Sequence, residues 1–455
     1  LDRPEPARAS SSPSVKLAIP IVGPTWADAL DQIERAARWA DLIELRLDLW
    51  DSVDTDHLRQ IQHPCILTVR SPAEGGRFRG SEEERRRLLA HLCQLQPTYI
   101  DFELTCLNEL RPYVEVATQV IGSIHGGLPG GEVEGADLLK VVTSPNSIDE
   151  LFDLYELAGE RVIPLAMGRF GPLSRMLAPL ARAPIVYAAL DGPLGEIPAR
   201  QLCEVYDIRE RTARTRLMGV IGDPVDQSPG PFVHNKVLRS KGIDALYLPI
   251  PLRPEEVASF LGRAERFNPI GFSVTMPLKQ AVFEGEVINT VRSREGRWEG
   301  CNTDGIGAIE AIGEVAGKRI AIIGAGGAAK AIGKEGERRG AEVTLYSRAT
   351  LPQLERASYD ILVQATPVGM QGAGPIPTGW IREGSCVLDV ISKETDFLCA
   401  AKERGCVAIG GIEMYARQAI HQTAYWFGEP FEEAVCEAIN DYLHCPSSNQ
   451  SQRKS

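Results

Sequence analysis

Short apolar runs alternate with longer amphipathic stretches over residues 15 to about 208. The runs fall at 16–22, 42–47, 65–69, 99–104, 119–124, 137–142, 162–166 and 185–189. Eight runs spaced by helix-like segments predict a parallel sheet, and eight is the count that closes a (β/α) barrel. The spacers carry helix signals: Ser81-Glu82-Glu83-Glu84 has the Ser-x-x-Glu spacing of a capping box. One spacer breaks the pattern. Between the fifth and sixth runs, residues 126–135 contain five glycines and Pro129, a composition that excludes a regular helix. One barrel helix is therefore expected to be replaced by a loop.

A polar, arginine-rich segment at 207–216 reads as a linker, and a new strand–loop pattern opens at Leu217. The domain boundary is placed near 212, with a barrel over 15–211. Further on, the apolar run 319–323 leads into Gly324-Ala325-Gly326-Gly327-Ala328 and then a helix-like stretch. Strand, glycine turn and helix together are shaped to hold a pyrophosphate on backbone N–H groups at a helix N-terminus. The fold class is thus α/β throughout, a barrel followed by a module with a Rossmann-type domain.

Composition narrows the function classes. A single core rarely exceeds ~250–300 residues, so 455 residues imply two or three domains. A net charge of -12 argues against nucleic acid as the main partner. No apolar run approaches the ~18 residues of a membrane span. Ten scattered cysteines without a CxxC pair suit reduced thiols in the cytoplasm. The seven histidines form no HExxH, and no metal site is predicted. Residues 1–14 and 446–455 read as loose polar tails.

In the second half, the strand at 342–346 ends at Ser347-Arg348. An NAD binder would usually place Asp or Glu there; an arginine accommodates a 2′-phosphate. NADP is therefore expected, with Arg348 on its phosphate. Upstream lie Ser273-Val274-Thr275-Met276-Pro277-Leu278-Lys279, then Asn289-Thr290, then Gly300-Cys301-Asn302-Thr303-Asp304-Gly305. With Ser228-Pro229-Gly230-Pro231-Phe232-Val233-His234-Asn235, Gln364-Ala365-Thr366-Pro367-Val368-Gly369-Met370 and Met414-Tyr415-Ala416-Arg417-Gln418-Ala419, the stretch 217–445 resembles shikimate dehydrogenase. The resemblance implies a substrate lobe over 212–306, a nucleotide domain over 307–410 and closing helices over 411–445. It implies Lys279 and Asp304 as the proton-transferring pair. Ser228, Thr275, Asn289 and Gln418 would hold the substrate, and Gly324, Gly326, Gly327, Ala328 and Thr366 would join Arg348 at the cofactor. Five positions depart from the family pattern: Gly230 and Ser273 replace a serine and an asparagine, Ser347 and Ala349 make Ser-Arg-Ala of Asn-Arg-Thr, and Ser392 stands where a tyrosine is frequent.

In the first half, charges sit inside apolar runs. Glu44-Leu45-Arg46-Leu47-Asp48 alternates them on one face. Arg70 ends the third run and precedes Glu74-Gly75-Gly76, His125 ends the fifth, and Lys140 lies within the sixth. Fifth and sixth strands are neighbours in a barrel, so His125 and Lys140 can meet at its C-terminal mouth. Desolvation there would favour the neutral amine, a Schiff-base nucleophile. With Met167-Gly168-Arg169-Phe170-Gly171-Pro172-Leu173-Ser174-Arg175, residues 15–205 resemble type I 3-dehydroquinate dehydratase. The resemblance implies an imine on Lys140, His125 as acid–base, Glu74 orienting it, and Glu44, Arg46, Arg70 and Arg175 binding a polyhydroxy carboxylate. Here Gly126-Gly127 replaces Asp-Phe, Glu196 stands at a usual glutamine, and Gly192 at a usual serine.

By resemblance the two halves catalyse consecutive steps from 3-dehydroquinate to shikimate, with small-molecule substrates and no nucleic-acid or membrane partner. Three alternatives stay open: a shikimate or quinate dehydrogenase with a weak or scaffold-only barrel, a second half that is a quinate dehydrogenase using NAD, and a fragment of the large multifunctional enzyme of that pathway.

Overall fold

The computed structural model describes residues 15–191, 196–369, 374 and 376–445; the expected tails, Gly192 and Met370 lie outside them. The chain divides into two compact units. The first runs to Arg216 and includes Ser259–Phe267; the second holds Leu217–Ala258 and the chain from Asn268 onward.

In the first unit the strands are β1 (Lys16–Ile21), β2 (Leu42–Arg46), β3 (Cys65–Thr68), β4 (Tyr99–Glu103), β5 (Gln119–His125), β6 (Leu138–Thr143), β7 (Val162–Ala166) and β8 (Ile185–Tyr187). They form one eight-stranded sheet in the order β7-β6-β5-β4-β3-β2-β1-β8, and the pairs are parallel. Among the described residues β7 and β8 share no ladder, so the barrel is open at one seam. β8 has only 3 residues with which to close it.

Alternate residues of a strand share a face, and this sets the barrel's interior. Leu42, Ile66, Tyr99, Ile121 and Leu138 belong to one buried apolar cluster. Two residues further along each of these strands come Glu44, Thr68, Asp101, Ser123 and Lys140, all buried. The barrel has an apolar floor and a charged mouth at the C-terminal strand ends.

The helices Trp26–Ala36 and Glu82–Leu92 each begin on a capping box, Thr25 with Asp28 and Ser81 with Glu84. After β5 no helix forms before β6. Gly126 leaves the strand at φ +92°, a left-handed conformation that glycine adopts without a Cβ penalty. The returning loop covers β5 instead of a helix: a Cβ on Gly122 would come within 2.9 Å of Ala136 and 3.1 Å of Leu104.

The second unit has two sheets. One has the order β10-β9-β11-β12-β13, from β9 (Arg216–Gly222), β10 (Ala245–Pro251), β11 (Gly271–Val274), β12 (Thr290–Arg294) and β13 (Arg297–Cys301). β12 runs antiparallel to both its neighbours. The other has the order β15-β14-β16-β17-β18, from β14 (Arg319–Ile323), β15 (Glu342–Tyr346), β16 (Ile361–Gln364), β17 (Cys386–Asp389) and β18 (Val407–Ile409). This sheet is parallel throughout, and the order in which strands are added reverses between β14 and β16. That switch point is where doubly wound folds bind ligands.

The C-terminal helices return to the first of these sheets. Val435 and Ala438 of Glu432–His444 share a buried cluster with Val233 and Val237 of Gly230–Ser240. Gly411–Phe427 lies so close to Asp304–Ile312 that a Cβ on Gly307 would stand 2.8 Å from the Gln418 nitrogen.

Candidate active sites

The charged mouth of the barrel gathers the residues picked out in the sequence. Lys140 is 3% exposed. Its ammonium lies 3.2 Å from Glu44 Oε1, in contact with Asp101 Oδ2, and 5.1 Å above the Tyr187 ring. Glu44 Oε1 also accepts from Thr68 Oγ1 at 3.0 Å. The β5–β6 register sets Ser123 beside Lys140 and His125 beside Val142, so His125 stands one interior position further out than the lysine. His125 Nδ1 is 2.7 Å from Glu74 Oε2. Burial lowers the His125 pKa; Glu74 works against this, while Arg70 and Lys140 lower it further. The balance favours the neutral ring more than in a free imidazole, and the expected pairing of Glu74 with His125 is present.

Arg70 joins these groups. Its guanidinium donates to Asp101 Oδ1 at 2.8 Å and Ser123 Oγ at 2.7 Å, and lies 3.5 Å from Glu74 Oε2. Burial alone would push the Asp101 carboxyl up. Arg70 and Lys140 outweigh that and hold it well below the usual carboxylate range. Arg46 at the rim is clamped by Asp48 through two bonds of 2.9 Å. Arg175 is 2% exposed and holds backbone carbonyls, that of Gly171 at 3.0 Å, with Glu196 Oε1 at 3.4 Å. Its Nε is buried with no partner among the described residues.

The cleft of the second unit is lined by Lys279, Asp304, Ala328, Ser392, Tyr415 and Gln418 among others. Lys279 Nζ pairs directly with Asp304 Oδ2. Asp304 opens its helix, and its backbone N–H donates to Asn302 Oδ1 at 2.9 Å. Asn289 donates to Asp304 Oδ1 at 2.8 Å and to Thr303 Oγ1 at 3.0 Å. Ser228 Oγ accepts from the Gly230 N–H at 3.1 Å, at the start of the helix Gly230–Ser240. Thr275 follows β11 and is tied through its own N–H to Ile221 at 2.9 Å.

The glycine turn follows β14 at the switch point. Gly324 has φ +127°, and a Cβ there would stand 2.8 Å from the Ala365 carbonyl and 3.2 Å from Thr366. Gly326 caps the helix Gly327–Arg338 without a side-chain bond, so the first-turn N–H groups have no side chain on them. Arg348 is exposed at the end of β15 and forms no ion pair among the described residues. A bare helix N-terminus, a turn too tight for a Cβ and a free guanidinium suit a dinucleotide with a 2′-phosphate. Of the predicted residues, the structure gathers Glu44, Arg70, Glu74, His125 and Lys140 in one site and Lys279, Asp304, Asn289, Gln418 and Ala328 in another. Asp101 and Glu103 escaped the sequence reading, although Tyr99-Ile100-Asp101-Phe102-Glu103 shows the alternation of charges in an apolar run that marked Glu44 and Arg46.

Taken together, the two units define a double-headed enzyme, a lyase barrel joined to an NADP-dependent oxidoreductase. The family model for type I 3-dehydroquinase matches residues 17–127 and 131–213, breaking inside the glycine loop. The model for the shikimate dehydrogenase substrate binding domain matches residues 220–303. A chloroplastic bifunctional 3-dehydroquinate dehydratase/shikimate dehydrogenase of Arabidopsis thaliana is 29% identical over 497 residues, covering 90% of this chain and 82% of that protein. The shikimate biosynthesis protein AroDE of Chlamydia pneumoniae is 29% identical over 481 residues, 93% of this chain and 98% of that one. The shikimate dehydrogenase (NADP(+)) of Thermococcus kodakarensis is 37% identical over 259 residues, 49% of this chain and 95% of that one. The chain belongs to the bifunctional 3-dehydroquinate dehydratase/shikimate dehydrogenase family.

Proposed function

We propose that the barrel dehydrates 3-dehydroquinate through an imine on Lys140, and that the second unit reduces the product, 3-dehydroshikimate, to shikimate. The observation that carries this is the lysine buried at the barrel mouth one interior position below a histidine held by a carboxylate. The Lys140 nitrogen adds to the C3 carbonyl, and loss of water leaves an iminium. His125 takes the C2 proton, and the C–H electron pair moves to the iminium nitrogen. The resulting enamine expels the C1 hydroxyl, which leaves as water with the proton held by His125. Water then hydrolyses the conjugated imine and frees Lys140, so one water is lost overall. Glu74 fixes the imidazole, while Glu44, Arg46, Arg70 and Arg175 bind the carboxylate and hydroxyls.

In the second unit NADPH supplies the hydride when bound. Lys279 gives a proton to the oxygen that the ketone becomes, and Asp304 orients Lys279 and the reacting hydroxyl. Ser228, Thr275, Asn289 and Gln418 are assigned to the substrate's polar groups. The turn at Gly324, Gly326, Gly327 and Ala328 is assigned to the pyrophosphate, with Thr366 against it and Arg348 on the 2′-phosphate. We read 212–306 with 411–445 as the substrate lobe and 307–410 as the nucleotide lobe. Ten unpaired cysteines support a cytoplasmic setting; among the described residues no helix is long and apolar enough to cross a membrane.

Borohydride reduction in the presence of 3-dehydroquinate tests the first step: a mass adduct on Lys140 is expected, and no adduct at saturating substrate sinks it. Lys140→Ala should abolish dehydration and spare shikimate oxidation. Lys279→Ala should do the reverse, each loss being at least about 10²-fold. Loss of both activities in either variant contradicts the division of labour.

A further inference from the structure

The dehydrogenase pair Lys279–Asp304 is the end of a buried chain of hydrogen bonds. Tyr247 OH donates to Ser273 Oγ at 2.7 Å, and Ser273 Oγ donates to Gln422 Oε1 at 3.2 Å. Gln422 Nε2 donates to Thr290 Oγ1 at 2.9 Å, and Thr290 Oγ1 donates to Asn289 Oδ1 at 2.8 Å. Asn289 Nδ2 donates to Asp304 Oδ1 at 2.8 Å. Gln422 and Thr290 are 0% exposed, Asn289, Asp304 and Tyr247 1%, and Ser273 8%. The middle of this chain is closed off from bulk solvent.

Its direction is forced at two places by backbone groups. The Thr303 N–H can only donate, and it donates to Asn289 Oδ1 at 2.8 Å. The Asn289 amide nitrogen must therefore face Asp304. The Asn289 carbonyl can only accept, and it lies 3.4 Å from Gln422 Nε2. Gln422 must therefore present its NH2 to Thr290 and its oxygen to Ser273. Each donor is thus pointed towards the carboxylate, and each bond polarises the next. The far end is anchored too. Asn235 brackets the Tyr247 backbone with bonds of 2.9 and 2.8 Å, and the His234 ring stacks on the phenol at 4.5 Å.

We infer that Gln422 and Thr290 are positioning residues of the dehydrogenase, which act through Asn289 to fix the Asp304 carboxylate against Lys279, with Tyr247 and Ser273 closing the array. This rests on the assignment of Lys279 and Asp304 to proton transfer. Neither residue touches the cleft, so their effect falls on the chemical step and not on cofactor binding.

The test uses the full-length chain and compares Thr290→Val, which is nearly isosteric and cuts the array, with Thr290→Ser, which keeps the hydroxyl. Gln422→Leu is the independent second cut. For shikimate oxidation, kcat is expected to fall about tenfold or more in Thr290→Val and Gln422→Leu, because a displaced catalytic group loses rate steeply. The KM for NADP+ should stay within about twofold, and Thr290→Ser should recover kcat to within about threefold. The inference is overturned if Thr290→Val keeps kcat within about twofold. It is equally overturned if NADP+ binding weakens as much as kcat falls, or if serine rescues nothing, since both mark a packing defect. Shikimate oxidation by the unaltered chain is measured first: its absence removes the assigned function, whereas normal activity with unchanged variants removes only the array.

Discussion

His125 shows how neighbours decide a residue's chemistry. Burial disfavours its imidazolium, Arg70 and Lys140 add to that, and only Glu74 and Asp101 oppose it. The acid limb of kcat/KM for dehydration should therefore lie below pH 6.5, the ordinary histidine value. Glu74→Gln removes the raising contact, so the limb should move to still lower pH. Its kcat should fall about 10²-fold as the ring loses its orientation. A pH–rate profile of both proteins checks this, and an upward shift would contradict it. Glu196 offers a second case. Its carboxylate lies 3.4 Å from Arg175, on a cation assigned to the substrate's own carboxylate. Glu196→Gln should lower the KM for 3-dehydroquinate severalfold with kcat little changed, measured by initial rates. Such residues differ in how far they can be read from sequence. Lys140 and Glu44 stand out because a charge inside an apolar run needs a reason. Gln422 gives no such sign, since a polar residue in an amphipathic helix is ordinary, and its partners Ser273 and Thr290 lie 149 and 132 positions away.

At the level of elements, local pattern and tertiary arrangement part company. All eight barrel strands are legible within a residue or two, because each is a short apolar run bounded by polar turns. The missing helix after β5 is equally plain, since five glycines cannot hold one. The open seam between β7 and β8 is not, because ladder closure depends on the relative heights of strands. The mixed first sheet of the second unit, with β12 reversed, is likewise settled by packing. The glycine turn after β14 is legible, and its tolerance can be calculated from its surroundings. A Cβ on Gly324 would stand 2.8 Å from the Ala365 carbonyl, at φ +127°. Gly324→Ala should cost about 1–3 kcal/mol and displace the turn. The KM for NADP+ should rise at least about tenfold while 3-dehydroquinate turnover is unchanged; parallel loss of both would show a general folding defect.

For the whole molecule, the units keep separate apolar cores, one inside the barrel and others around the sheets of the second unit. A ligand that binds one native unit stabilises that unit by mass action, about 2.7 kcal/mol at a hundredfold excess over Kd. NADP+ should therefore raise the temperature at which shikimate oxidation is lost and leave that for dehydration in place. Residual activities after a graded heat step would show it. The division into two units on one chain has a further consequence, for metabolism. The two catalysts are always made in equal numbers, whatever the level of expression. The ratio of 3-dehydroshikimate to 3-dehydroquinate at steady state is then governed by the ratio of two kcat/KM values, so amino-acid changes in one unit, and no change in gene dosage, can retune that ratio.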